Sequence, residues 1–394
     1  DTLIVVRGII AAGRLEEARS IIVQFAMFEK DGTIPNMIRG TDTGNRDTSD
    51  APLWLLRVCD ELGAVMGQDT LLETDCGGRP LLQVLISIVR SIMAGTPNGM
   101  TMDAASGLLF SPSHFTWMDT NYPAGTPRQG YPIEIQALWQ AALDYLARVD
   151  APAHRQPWQR LAGQVRQSIQ DFFFRDDLGY LSDCLHADAG TPAEAAVADN
   201  ALRPNQLFAL TLGAVTDKPV AERTLLACQE LIVPGAIRSL ADRPIHPALP
   251  IYHNGVLVND PQRPYVGVYG GDEDTRRKPA YHNGTAWTWV FPSFCEAWAD
   301  CFGPGEYETA MAWLASSSRL IDDGCVGHVP EIVDGDAPHL RRGCDAQAWG
   351  VSELLRVWVK IEGLRDCRTW NDSGVHAPVL LPAGTFRSTH RKNK

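Results

Sequence analysis

The 394 residues suffice for one large single-core domain or two average ones, and 47 acidic against 35 basic residues give a net charge of −12. That balance argues against polyanionic partners such as nucleic acid, and the basic tail Arg387–Lys394 reads as a disordered end. No apolar run is long enough to span a bilayer.

Nine cysteines without CxxC spacing, several of them among apolar neighbours (Cys59, Cys228, Cys295, Cys301), suggest buried free thiols and a cytoplasmic location. They form no zinc pattern, and no cofactor motif stands out. The chain opens on Asp1-Thr2 without an initiator Met, so a portion upstream is expected.

Apolar residues recur at helical spacing from the start, predicting helices over about 2–12, 14–29, 50–64 and 79–94. The next, over 132–148, carries a stripe of Ile135, Leu138, Trp139, Ala142, Leu143 and Leu146, with Gln140, Asp144 and Arg148 off it. Helices follow over 154–174, 204–213, 218–231, 285–302 and 305–320. The last, over 346–360, carries Ala348, Val351, Leu355 and Trp358 on one stripe. Strand composition is scarce, the exception being a hairpin in 251–270 that would pair Val256-Leu257-Val258 with Tyr265–Val268.

Short connections alternate with long ones (30–49, 95–131, 175–203, 232–284, 321–345). If successive helices run antiparallel, every long loop falls on one end of the assembly, together with Asp1. Loops of that length in a compact domain usually carry function. Eleven helices, with a twelfth expected before Asp1, suit an all-α (α/α)6 barrel. A solenoid would need a fixed sequence period, and none is present. The barrel is expected over 1–362, followed by a partly disordered tail over 363–394.

The long loops concentrate Trp, Tyr, Asp, Glu, His and Arg. In Phe115-Thr-Trp-Met-Asp119, a carboxyl stands beside an indole, Trp117. Poor solvation of the ionised form would raise its pKa towards general-acid values. A solvated loop aspartate beside a core tryptophan is the equal alternative. Glu331, in Gly-His-Val-Pro-Glu-Ile, is the second acid, and its bland reading is a salt bridge to Arg341 or Arg342. Asp334 and Asp336 suit turns around Gly335.

Tyr281-His-Asn-Gly-Thr-Ala-Trp287 places His282 to bond a sugar hydroxyl or a carboxylate. No second histidine stands at metal-ligand spacing from it. Trp287 suits a stacking platform, whereas Trp289 suits core. Asp47 or Ser49 suits the N-cap of the helix that follows Asp50 and carries Trp54. Arg203-Pro204-Asn205-Gln206 reads as another helix entry, with Asn205 and Gln206 available for recognition. There is no GxSxG, Walker loop or GxGxxG before a strand, so acyl, phosphoryl and hydride transfer lack support. An aspartate-rich DxDD or DDxxD cluster, which a helical terpene cyclase would need, is also absent.

Taken in order, several segments resemble the C-terminal glucosidase domain of glycogen debranching enzymes, the amylo-α-1,6-glucosidase family. They are Asp1-Thr2, Gly13–Ala18, Gly32–Asn36, Thr48–Trp54, Thr116–Asp119, Thr126–Arg128, Arg203–Gln206, His282–Thr285, Glu331-Ile332 and Gln347–Trp349. The resemblance implies an (α/α)6 barrel that hydrolyses α-1,6-linked glucose at glycogen or branched-dextrin stubs with inversion. By position it implies Asp119 as general acid and Glu331 as general base. It places Asp1, Asp50, Trp54, Trp117, Arg128, Glu134, Asn205, Gln206, His282, Trp287, Gln347 and Trp349 around the sugar, with no metal.

The chain departs from the family pattern at Asn283 and Thr288, at Gln136, and in an enlarged 244–280 loop. A glucoamylase- or trehalase-like exo-glycosidase, or a non-catalytic carbohydrate-binding module, are the competing readings.

Overall fold

The computed structural model describes residues 1–40 and 42–372. The tail expected over 363–394 lies, from 373 on, outside the described residues. Eleven helices make up the two main layers. They are α1 (Thr2–Ala11), α2 (Leu15–Met27), α3 (Ala51–Met66), α4 (Leu81–Ala94), α5 (Ile133–Val149), α6 (Pro152–Phe173), α7 (Leu207–Thr211), α8 (Lys218–Cys228), α9 (Phe291–Phe302), α10 (Tyr307–Ala315) and α11 (Ala348–Asp372). The last helix therefore runs through the boundary expected at 362.

The odd-numbered helices touch in a cycle: α1 packs on α3, α3 on α5, α5 on α7, α7 on α9, α9 on α11, and α11 back on α1. The even-numbered helices pack against that cycle, with α2 on α1 and α3, α4 and α6 on α5, α8 on α9, and α10 on α9 and α11. This is the alternation that an all-α (α/α)6 design requires. Sequence follows layer. Helix α5 is buried nearly all round, including Gln136 and Gln140. Helix α6 buries one stripe, Trp158, Leu161, Ala162, Val165, Ile169 and Phe173, at the spacing of a single helical face.

The seam between α1 and α11 is unusually close. A Cβ on Gly8 would stand 2.5 Å from the Ser352 Cβ, so only glycine fits there. Beside it runs a buried ion network. Arg7 bonds Glu61 of α3 and Glu353 of α11, and Arg356 bonds Glu353 and Glu296 of α9. This network corrects the stripe expected on α11. Glu353 is fully buried and in line with Trp349, Val357 and Ile361, while Leu355 and Trp358 are exposed. Counting apolar residues set the wrong phase because charges occupy core positions here.

The loops contain short antiparallel strands, none longer than three residues among those described. A five-stranded sheet has the spatial order Arg341–Arg342, Ile332–Val333, Ala286–Trp287, Ala236–Arg238, Ile232–Val233. It ties the loops 232–284 and 321–345 together, with Trp287 opposite Ile332 and Ile237. The helix expected from 285 therefore starts only at Phe291, because residues 286–287 are a central strand. The helix expected over 305–320 is also broken, with a second piece at Ser318–Ile321. A three-stranded sheet pairs Gly130–Pro132 with Cys184–His186, and the latter with Val197–Ala198.

A hairpin does form within 251–270, but it joins Tyr252–His253 to Val256–Leu257 across Asn254-Gly255. Residues 265–268 are not a strand. The eight cysteines from Cys59 to Cys344 are free thiols, five of them buried. No described helix is long and apolar enough to cross a membrane.

Candidate functional site

Asp119 lies in the loop between α4 and α5, and its side chain is exposed. The surroundings are nevertheless protein-rich. Loss of solvation pushes its carboxyl up to about 6, with its own backbone N–H opposing and the charges of Asp50 and Glu331 reinforcing the rise. Among the described residues no side chain donates a hydrogen bond to it. Asp50, at the N-cap of α3, is half-buried, and desolvation raises it despite the 2.6 Å bond from Thr48 Oγ1. Asp1 lies within electrostatic reach of both. Neither Asp47 nor Ser49 caps α3. The Ala51 N–H donates to Thr48 Oγ1 at 3.3 Å, and Ser49 bonds Ser111.

Glu331 has the opposite environment. It immediately precedes the strand Ile332–Val333, and its backbone N–H donates to the Cys344 carbonyl at 2.8 Å. Tyr281 Oη donates to its Oε1 at 2.5 Å, Gln347 Nε2 to the same oxygen at 2.9 Å, and the Cys344 N–H to Oε2 at 3.1 Å. Burial and the Glu331 carboxylate push the Tyr281 phenol far up, so it remains a donor. The carboxylate also needs the space left by Gly343. That residue has φ +67, and a Cβ there would stand 2.2 Å from Oε2.

The expected salt bridge from Glu331 to Arg341 or Arg342 does not form. Arg342 pairs with Asp334 at 3.0 Å, and Arg341 donates to the Leu320 carbonyl. Asp334 and Asp336 brace neighbouring loops rather than merely turning the chain, accepting from the Tyr269 N–H and Tyr265 Oη respectively.

An aromatic cluster supports the two carboxyls. Trp117 meets His282, Trp287 and Trp289 edge-on at centroid distances of 5.5, 5.0 and 5.1 Å. Trp289 stacks on Trp349 and Phe208, and Phe208 meets Trp54 edge-on. Trp54 is 4 % exposed and Trp287 2 % exposed, with His282 stacked 5.1 Å from the Trp287 ring. Both are thus packing residues rather than free sugar platforms. Trp349 is likewise buried, and its indole N–H bonds Gln347.

His282 keeps one ring nitrogen, Nε2, without a hydrogen-bond partner among the described residues. It is buried, and its Nδ1 shares a 2.9 Å bond with the Thr120 hydroxyl, tying down the residue next to Asp119. Burial and the nearby guanidinium groups hold it neutral, well below the usual histidine range.

Four further candidates form the support beneath the Asp119 loop. The Arg128 guanidinium bonds Glu134 through both terminal nitrogens (2.5 and 2.6 Å), Asp183 through Nε (2.6 Å) and Nη2 (3.1 Å), and the Thr116 hydroxyl (3.0 Å). All five of its donors are engaged. Asn205 accepts from the Trp117 indole N–H at 2.8 Å and donates to Asp183 at 2.8 Å. Gln206 accepts from the Leu181 N–H and donates to the Arg203 carbonyl. Arg128, Glu134, Asn205 and Gln206 are buried and satisfied, so they position Trp117 and Asp119 without free groups for a ligand. Breaking such a buried cluster on one side typically costs about 3–5 kcal/mol. Arg128, Asp183 and Arg203 also line a cavity of about 250 Å³ whose other walls include His186, Asp199 and Pro247 but none of the carboxyls around Asp119.

The residues brought together at the loop face are thus Asp1, Asp50, Asp119, Trp117, Glu331 and Gln347. Sequence reasoning missed Tyr281, Asp183 and Gly343. Tyr281 was signalled by its place beside His282, and Gly343 by its place in the loop after Arg342. Asp183 carried no local signal. Residues 1–356 match the family described as Amylo-alpha-1,6-glucosidase.

Proposed function

This chain belongs to the amylo-alpha-1,6-glucosidase family, a family of glycoside hydrolases, and from that premise we propose that it removes α-1,6-linked glucose from branched α-glucan with inversion. The carrying observation is the contrast between two carboxyls on one face. Among the described residues no side chain donates to Asp119, whose carboxyl desolvation pushes up to about 6, while Glu331 accepts three hydrogen bonds.

Asp119 carries a proton at mildly acidic pH and gives it to the glycosidic oxygen as the C–O bond breaks. Glu331 takes a proton from the water that attacks the anomeric carbon from the opposite face. The products are free glucose of inverted anomeric form and a glucan bearing the restored hydroxyl. Inverting enzymes hold the two carboxyls roughly 6.5–9.5 Å apart to admit that water. Asp1 and Asp50, beside Asp119, supply acceptors for the hydroxyls of the terminal glucose.

Proton NMR of glucose newly released from a branched limit dextrin tests this reading. The β-anomer should appear first. Prompt α-glucose would overturn the inverting mechanism, and no release from α-1,6 stubs alongside release from α-1,4 or α,α-1,1 linkages would move the assignment to another exo-glycosidase. Binding without any turnover would favour a carbohydrate-binding module.

A further inference from the structure

We propose that Tyr122 and the hairpin Tyr252–Leu257 form a binding platform for the glucan that stays behind after cleavage, on the leaving-group side of Asp119. This rests on the glycosidase reading above. A general acid protonates the oxygen of the departing group, so the residues following Asp119 adjoin the remaining polymer rather than the terminal glucose. They form a tight loop, with Asn121 bridged to Ala124 and the Gly125 N–H donating to the Thr120 carbonyl at 3.1 Å. One flank is fixed by Thr120 on His282 and by Asn283 Nδ2 donating to the Gly125 carbonyl at 2.8 Å.

The other flank is fixed by the hairpin. Tyr122 Oη donates to Asn254 Oδ1 at 2.8 Å, and its ring lies 5.6 Å from the His253 ring. Asn254 Nδ2 in turn contacts His253 Nε2 at 2.8 Å. The phenol is thus immobilised at its tip and on one side, yet Tyr122 is 52 % exposed. An aromatic face held rigid in solvent suits the apolar face of a pyranose, because no side-chain freedom is lost on binding.

The hairpin enlarges the surface. Its turn residues Asn254 and Gly255 both have positive φ (48° and 78°), as a two-residue hairpin loop demands. Directly paired residues share a face, so Val256 lies on the His253 side and extends the Tyr122 surface, while Tyr252 and Leu257 form the other side. Val256 is 65 % exposed. Exposed apolar groups continuous with an active site indicate a ligand surface. Tyr122, Tyr252, Val256 and Leu257 carry no charge, which fits neutral α-1,4-linked glucose units.

The test compares wild type with Tyr122→Ala and, separately, Val256→Asp. Calorimetric affinity for a branched limit dextrin is measured, as is the ratio of kcat/KM on that dextrin to kcat/KM on isomaltose. Loss of one aromatic contact should weaken dextrin binding and lower the ratio roughly tenfold, with a smaller fall for Val256→Asp. Wild-type affinity and an unchanged ratio in both variants would overturn the platform. If wild type releases glucose from neither substrate, the glycosidase reading fails, and the affinities alone decide the platform.

Discussion

The two loops that carry Asp119 and Glu331 solve opposite problems with the same functional group. The 115–131 loop keeps its carboxyl free of side-chain donors and fixes everything around it: Thr120 to His282, Trp117 to Asn205, and Arg128 to Glu134 and Asp183. Desolvation without compensating donors is what raises Asp119. The 321–345 loop instead clamps the carboxylate directly, through Tyr281, Gln347 and the Cys344 N–H, and the strand that follows is locked between two others. Backbone precision comes from buried charge in the first loop and from sheet pairing in the second. The proposed acid and the proposed base therefore differ by which neighbours the fold withholds and which it supplies.

The largest break in that contrast comes from removing either carboxyl. Asp119→Asn and Glu331→Gln should each lower kcat on branched dextrin by about 10²–10⁴-fold. They should part on α-glucosyl fluoride, whose leaving group departs without protonation. There Asp119→Asn should recover most of its rate and Glu331→Gln none, and the reverse pattern would exchange the two roles.

Next in size is Gly343→Ala. The new methyl must displace the Glu331 carboxylate, and a misplacement of about 1 Å can lower turnover on the order of 10²-fold. Steady-state kcat measures this loss, and a rate within a fewfold of wild type would show that the carboxylate position is not critical. Tyr281→Phe removes one charge-assisted hydrogen bond from Glu331 and keeps the ring against Trp287. A loss of roughly tenfold in kcat with little change in KM is expected.

The helical layers were legible because outer helices such as α6 bury a single apolar face, and the alternation of loop lengths suggested their ring. The phase of α11 was not, because Glu353 and Arg356 lie within the network that joins it to α1 and α9. At the site, Asp119 beside Trp117 was readable from adjacency. The support beneath it was not, since Asp183 reaches Arg128 only through strand pairing across 55 residues. Arg128, Glu134, Asn205 and Gln206 look like recognition groups in the chain. Only the closed set of bonds among them, Asp183 and Arg203 shows that they face one another. The aromatics follow the same rule, because Trp287 reads as a platform until Trp117 and His282 are seen to cover it.

The smallest expected effect probes the electrostatic half of the contrast. If desolvation sets Asp119 at about 6, the protonated form needed for catalysis is lost as pH rises through that value, so kcat/KM should decline above about pH 6. Asp50 adds to the rise by placing a negative charge nearby. Asp50→Asn removes that charge, makes the Asp119 anion easier to form, and should move the alkaline limb to lower pH by less than about one unit, since desolvation is the larger cause. The same substitution should weaken glucose binding, but binding changes the height of the profile and charge changes its position. A limb that stays in place would mean that Asp50 serves the sugar alone, and a limb that moves upward would mean that Asp119 is not the group titrating.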